Sequence, residues 1–142
     1  MNSEPIVVLS EDESWDRLGS VALGRLVTTF AGEPEIFPVN YVVQGRTVLF
    51  RTAEGTKLFS AIASHTVVFE ADDHSETEGW SVILRGRARL LKTDADIQEA
   101  ERAHLLPWLA TRKPHFVRVT PTEISGRHFN FGPEPDCHET VA

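Results

Sequence analysis

Apolar residues along the chain fall into short blocks separated by turn residues. The first block, residues 6–9 (Ile-Val-Val-Leu), is followed by Ser10 and, three positions later, by Glu13. That spacing predicts a capping box, in which each side chain satisfies an orphan backbone N–H of the other. The helix it opens is short, about residues 11–19, with Trp15 and Leu18 on one face. Gly19 and Gly24 bracket a turn into the β-branched stretch 25–30, a strand broken by Ala31-Gly32-Glu33-Pro34. A second strand is expected over 35–43, interrupted at Pro38. Proline cannot donate to a ladder, so this point marks an edge, a bulge or the approach of another group. Gln44-Gly45-Arg46 then turns tightly into a third strand, 47–52.

After Ala53-Glu54-Gly55 the period becomes helical over 56–63, and a fourth strand is expected over 66–71. The polar stretch 72–78 reads as an exposed loop. A long fifth strand spans about 79–91, and its alternation from Arg85 onward sets Arg85, Arg87 and Arg89 on one face. Thr93 and Asp96 can cap a helix over 94–104, and Pro107 and Pro114 frame an irregular link to a sixth strand, 116–119. Pro121-Thr122-Glu123 is expected to turn into a last strand, 124–129. Six or seven strands, mostly in hairpins, with three short helices predict a mainly β fold, a small antiparallel barrel with helices at its ends. Residues 1–130 form one domain in this reading, and 131–142 an acidic tail. There is no regular βα alternation, and neither GxGxxG nor GxxxxGK[ST] occurs, so nothing supports a dinucleotide fold or a P-loop.

Composition narrows the function classes. A chain of 142 residues with 41% apolar content can build a core without disulfides. The single cysteine, Cys137, excludes an internal disulfide framework and a Cys-based zinc module, and it suits a reducing cytoplasm. Lys and Arg number 14 against 21 Asp and Glu, and the resulting charge of −7 argues against non-specific nucleic-acid binding. No run of 18 apolar residues occurs and the acidic start is not a signal peptide, so a cytoplasmic protein without a membrane partner is expected. The six histidines show no HxxxH or HExxH spacing, and Asp72-Asp73-His74 and Asp136-Cys137-His138 lie in polar segments, so no metal site is expected. No GxSxG occurs, and Cys137 has only His138 as a neighbour that could activate it.

Three places could carry chemistry. Residues 50–57 (Phe-Arg-Thr-Ala-Glu-Gly-Thr-Lys) run from a strand end through a glycine turn to a helix start. Thr52 and Thr56 offer hydroxyl donors there and Arg51 and Lys57 formal charge, a plausible cradle for a phosphate monoester. A Thr-capped helix flanked by two solvated cations explains the same residues. In 37–41 (Phe-Pro-Val-Asn-Tyr), Asn40 sits within an apolar strand and needs a partner if buried, which a flat heteroaromatic ligand or a neighbouring bulge could supply. Trp80 and Ser81, ahead of the arginine row, are the third candidate; a solvated arginine face with Trp80 in the core or an interface is the plainer reading, and Trp108 can simply plug a barrel end.

In order along the chain, Gly24-Arg25-Leu26, residues 36–41, residues 50–57, residues 80–88 and residues 116–126 resemble the pyridoxamine 5′-phosphate oxidase-like flavin-binding split-barrel family, in particular its short bacterial and actinobacterial members related to nitroimidazole-resistance proteins. The resemblance spans about residues 8–129. It implies a homodimeric split β-barrel with FMN at the subunit interface, or the deazaflavin F420 in its place. By position, Arg51, Thr52, Thr56 and Lys57 would hold the phosphate. Pro38, Val39, Asn40 and Tyr41 would lie along the ring system, and Trp80 and Ser81 would approach it near the dimer seam. A flavin-dependent oxidoreductase acting on a small organic substrate is implied, with no catalytic side chain identified; a non-catalytic flavin- or haem-binding module is the alternative. The family's vitamin B6 oxidases carry Trp-Gln before the glycine matched here by Gly126, and an Arg-x-His substrate motif further on. This chain has Ile124-Ser125 and only a short acidic tail, which argues against pyridoxamine phosphate as its substrate.

Overall fold

A computed structural model describes residues 4–53, 56–62, 66–109 and 112–136. Strand β1 (Ile6–Leu9) leads through Ser10 into helix α1 (Glu11–Leu18). The Glu13 amide donates to Ser10 Oγ at 3.1 Å and the Ser10 amide to Glu13 Oε1 at 3.0 Å, so the capping box forms as its spacing predicts. Glu11, Asp12 and Glu13 face the positive end of the helix, while Trp15 and Leu18 bury its other side. Strands β2 (Leu23–Phe30) and β3 (Glu33–Asn40) are joined by Ala31 and Gly32 with φ of 52° and 80°. A two-residue turn with both residues left-handed matches the natural twist of the strands it joins. Pro34 therefore lies inside β3, opposite Thr29, and not in the turn. Strands β4 (Val42–Gln44) and β5 (Thr47–Thr52) meet in a turn of the same kind at Gly45 and Arg46, φ 58° and 53°. The Arg46 side chain also makes ion pairs to Glu11 and Asp12 of α1.

Helix α2 (Lys57–Ile62), strands β6 (Thr66–His74) and β7 (Glu78–Leu90), helix α3 (Asp94–Glu101) and strand β8 (His115–Asn130) complete the chain. The strands form one antiparallel sheet in the order β3-β2-β6-β7-β8-β5-β4, with β1 on the distal half of β8. The sheet curls into a half-barrel around Leu26, Phe50, Phe69, Val82, Leu84, Val117 and Val119, all buried. Along β7, Val82, Leu84 and Ala88 point into this core while Arg85, Arg87 and Arg89 point out, so the arginine row is a solvent-facing stripe of the chain. Buried Arg118 pins β8 to the β4–β5 hairpin, donating to Thr47 Oγ1 at 2.7 Å and Gln44 Oε1 at 2.9 Å. The expected mainly β split barrel with short helices is the observed fold.

Several boundaries differ from the sequence reading. The expected strand 35–43 is two strands at opposite edges of the sheet, parted at Tyr41 and not at Pro38. The Tyr41 amide donates to the Ala22 carbonyl at 2.9 Å, and its ring meets Phe69 edge-on at 4.8 Å. Its hydroxyl donates to the Leu18 carbonyl, so local pairing gives way to core packing here. Pro38 lies on the edge strand opposite Arg25, where a missing donor is tolerated. Residues 72–74, expected in a loop, extend β6 and pair with Ser81, Trp80 and Gly79. The two closing strands are one, because the irregularity at Pro121 is a bulge facing Arg85 and Gly86. Helix α3 ends at Glu101, three residues short of the expected end. Glu54, Gly55, Ala63, His65, Cys137 and His138 lie outside the described residues. Among those described, no helix is long and apolar enough to cross a membrane.

Candidate functional site

The end of β3, the end of β5 and the start of α2 converge on a cleft of about 480 Å³. Pro38, Val39 and Asn40 line it from β3, Arg51 and Thr52 from β5, and Thr56 and Leu58 from the α2 side. The irregular link between α3 and β8 forms the remaining wall through Trp108, Leu109, Arg112 and Lys113. Two of the sequence candidates tie that link down. Asn40 Nδ2 donates to the Leu106 carbonyl at 2.7 Å, and Arg51 Nε donates to the Lys113 carbonyl at 2.8 Å. The Arg51 guanidinium also sits 5.1 Å from the centre of the Phe116 ring, which fixes its plane. Asn40 thus finds its partner in a backbone carbonyl that sequence spacing does not reveal.

Thr56 behaves as a helix cap. Its hydroxyl donates to the Ala53 carbonyl at 2.8 Å and accepts from the Phe59 amide at 3.0 Å, with Thr52 Oγ1 3.4 Å away. A ligand phosphate here would compete for a hydroxyl already engaged, which leaves formal charge as the stronger attraction. Lys57 turns to the other side of α2, where its ammonium lies 3.8 Å from Glu35 and its side chain is 82% exposed. It lines a neighbouring cavity of about 340 Å³ that shares Thr56 with the cleft.

The remaining candidates lie elsewhere. Tyr41 belongs to the core, and burial pushes its hydroxyl pKa up. Trp80 packs half-buried against the core. Ser81 is on the outward face of the sheet, donating to Glu70 Oε2 at 3.2 Å. Glu70 and Asp72 share Arg25 Nη1 at 3.1 and 3.0 Å. Burial, and then the neighbouring Asp72, push the Glu70 carboxyl up to about 7 against the pull of Arg25.

Six of the ten residues proposed from sequence (Pro38, Val39, Asn40, Arg51, Thr52 and Thr56) therefore share one cleft. Sequence reasoning missed Leu23, Leu58, Leu109, Arg112 and Lys113 and gave Trp108 a plugging role. The adjacent cations Arg112-Lys113 before Pro114 were the available signal. With Arg51 they place three cations on the cleft, and no carboxylate is among its described lining residues, in a chain of net charge −7. Such a site favours an anionic ligand with an apolar body. Among the described residues there is no group of three His, Cys, Asp or Glu side chains able to hold a metal ion.

The chain is similar to several bacterial proteins. A solved structure of an FAD-binding protein from Mycobacterium smegmatis is 62% identical, covers 89% of this chain and all of that one, and superposes with a TM-score of 0.82. An FAD-binding protein from Mesorhizobium loti is 25% identical over 87% of this chain and 96% of that one, with a TM-score of 0.75. An uncharacterized protein of Mycobacterium tuberculosis is 68% identical over 101 residues, 71% of this chain and 92% of that protein. The model of the pyridoxamine 5′-phosphate oxidase family matches residues 10–128, from the cap of α1 to the distal end of β8, and the chain belongs to that family.

Proposed function

We propose that this protein binds a flavin carrying a 5′-phosphate in the cleft between β3, β5 and α2 and works as a flavin-dependent oxidoreductase on a small organic substrate. The observation that carries the reading is the cleft itself. It is of small-molecule size, at about 480 Å³, apolar along Pro38, Val39, Leu58 and Trp108, and cationic at Arg51, Arg112 and Lys113. A flavin matches both halves, a broad ring system for the apolar wall and a phosphate for the cations. The FAD-binding relatives at 62% and 25% identity support the same cofactor class. FMN suffices to occupy the cleft; FAD and F420 present the same phosphate-bearing chain.

In this reading Arg51 holds the phosphate through its terminal guanidinium N–H groups, since its Nε is committed to the Lys113 carbonyl. Arg112 and Lys113 add charge from the link, and Thr52 lines the floor beside Thr56. Pro38 and Val39 flank the ring system, and Asn40 keeps the link in place at Leu106. Bound flavin supplies electron transfer, while the chain supplies orientation and restricts access. The protein acts as a homodimer, and pairing through the outward sheet face is how Ser81, remote from its own cleft, would reach a flavin held by a second copy.

The purified protein is expected to be yellow, or to take up flavin with a change in fluorescence. Arg51→Ala is expected to weaken FMN binding by about tenfold or more, the loss of one charge-assisted contact. A colourless protein that binds none of FMN, FAD and F420 in titration overturns the proposal.

A further inference from the structure

The outward face of the sheet continues the cleft wall toward a carboxyl group that the flavin reading leaves unused. Leu23 and Pro38 line the cleft. Pro38 is the cross-strand partner of Arg25, and Arg25 in turn of Glu70, so one row of side chains runs from the cleft across β3, β2 and β6. Strands lie about 4.8 Å apart, which puts Glu70 about 10 Å from Pro38. Asp72, two residues on from Glu70 and on the same face, and its partner Ser81 of β7 complete the group. Arg25 Nη1 is shared between Glu70 Oε1 at 3.1 Å and Asp72 Oδ2 at 3.0 Å, and the Ser81 hydroxyl donates to Glu70 Oε2 at 3.2 Å.

Two carboxylates thus share one cation, and a proton relieves the second negative charge. It belongs on Glu70, whose side chain is 23% exposed against 43% for Asp72, because desolvation penalises the charged form. Asp72 holds Arg25 charged, and Tyr41, which faces Glu70 from the core side, ionises only well above its ordinary value. A partly exposed acid backed by a cation that steadies its conjugate base is equipped to give up a proton. We infer that Glu70 is the general acid for an organic acceptor lying on the outward face between Pro38 and Glu70. The inference rests on the flavin reading and deepens it by supplying a catalytic side chain. A polarised double bond of the acceptor gains a hydride from the bound reduced flavin at one atom. Its π pair moves to the other atom, which takes the Glu70 proton. The acceptor is reduced by two electrons, the flavin is oxidised by two, and Arg25 balances the Glu70 carboxylate until solvent returns the proton. Arg25 and Ser81 are positioning residues, one on each carboxyl oxygen.

The test has two readouts on the full chain. In carbon-13 NMR of the flavin-free protein, the Glu70 carboxyl, assigned by its absence in Glu70→Gln, is expected to titrate at about 7 and to move to lower pH in Asp72→Asn, which removes the like charge. In stopped flow, protein loaded with FMN or FAD and reduced with dithionite is mixed with either of two acceptors. Ferricyanide takes electrons alone, whereas tetramethyl-1,4-benzoquinone takes two electrons and two protons. Oxidation by the quinone is expected to slow as pH rises from about 6 to about 8. In Glu70→Gln it is at least about tenfold slower at the lower pH and insensitive to pH, and Glu70→Asp restores part of the rate with its pH dependence. Oxidation by ferricyanide at the lower pH is the same in all three proteins. A quinone rate unchanged in Glu70→Gln, a loss common to both acceptors, or a Glu70 carboxyl that does not titrate near neutral pH overturns this inference and leaves the flavin site standing. Failure to bind any of FMN, FAD and F420 overturns the flavin reading itself, and this inference with it.

Discussion

Glu70 shows how far a sheet position can alter one side chain. It faces outward from β6, but Ser81, Asp72 and Arg25 crowd around it and its carboxyl is pushed up to about 7. The folded chain therefore holds the Glu70 proton more tightly than the unfolded chain, whose ordinary value is 4.5. Stability from this group is present in full below 4.5 and is lost as pH rises through about 7. Glu70→Gln retains an acceptor for Arg25 and Ser81 but has no proton to lose. Thermal unfolding of the two proteins between pH 4.5 and 7.5 is expected to show the variant gaining on the wild type as pH rises. A difference independent of pH removes Glu70 as the titrating group. Arg25 moves the opposite way from a desolvated cation: Asp72 raises its pKa and holds it charged throughout this window.

At the scale of elements, the long β7–β8 pair depends on a bulge where Gly86 faces Pro121. A Cβ at Gly86 would lie 2.2 Å from the Thr120 carbonyl oxygen and 3.0 Å from the Pro121 Cα, both backbone atoms of the neighbouring strand. Gly86→Ala must therefore part the two strands, and a loss of about 1–3 kcal/mol is expected in urea unfolding. Gly132→Ala, with nothing within 4 Å of its Cβ, is expected to leave the midpoint unchanged. Equal midpoints for the two variants would mean that the bulge gives way at no cost. The same region shows which elements sequence can convey. The Ser10–Glu13 cap, the turn at Gly45 and Arg46 and the inward alternation of β7 depend on neighbours a few residues apart, and each forms as the pattern predicts. Pro121 carries an equally strong local signal for a turn, but thirteen residues of β7 pair along both sides of it and absorb the irregularity as a bulge. Tyr41 ends a strand for a reason that lies in distant residues, Leu18, Ala22 and Phe69.

The whole molecule explains why half of the cleft was hidden. Arg51, Thr52 and Thr56 are near neighbours in sequence and read as a unit, whereas Arg112 and Lys113 reach them only because β8 pairs with β5 and carries the link across the cleft. The fold also presents an outward sheet face that is apolar for a solvent boundary. Ile36 on β3 is 65% exposed and Ile83 on β7 is 38% exposed, with Val27 and Val68 between them in the sheet. Arg85, Arg87 and Arg89 share this face with Glu70, Asp72 and Glu123. A twofold axis through such a face sets cations of one copy against carboxylates of the other around an apolar centre, the arrangement an isologous dimer requires. Sedimentation is therefore expected to give twice the 15.9 kDa mass of the chain. Ile83→Lys places its charge opposite Glu70 within its own sheet, so the fold is retained while the apolar centre of the pair is lost. This variant is expected to sediment as a monomer with an unchanged β-sheet circular dichroism spectrum. A dimer that survives both Ile83→Lys and Ile36→Lys would place the interface on another surface and separate Ser81 from any flavin.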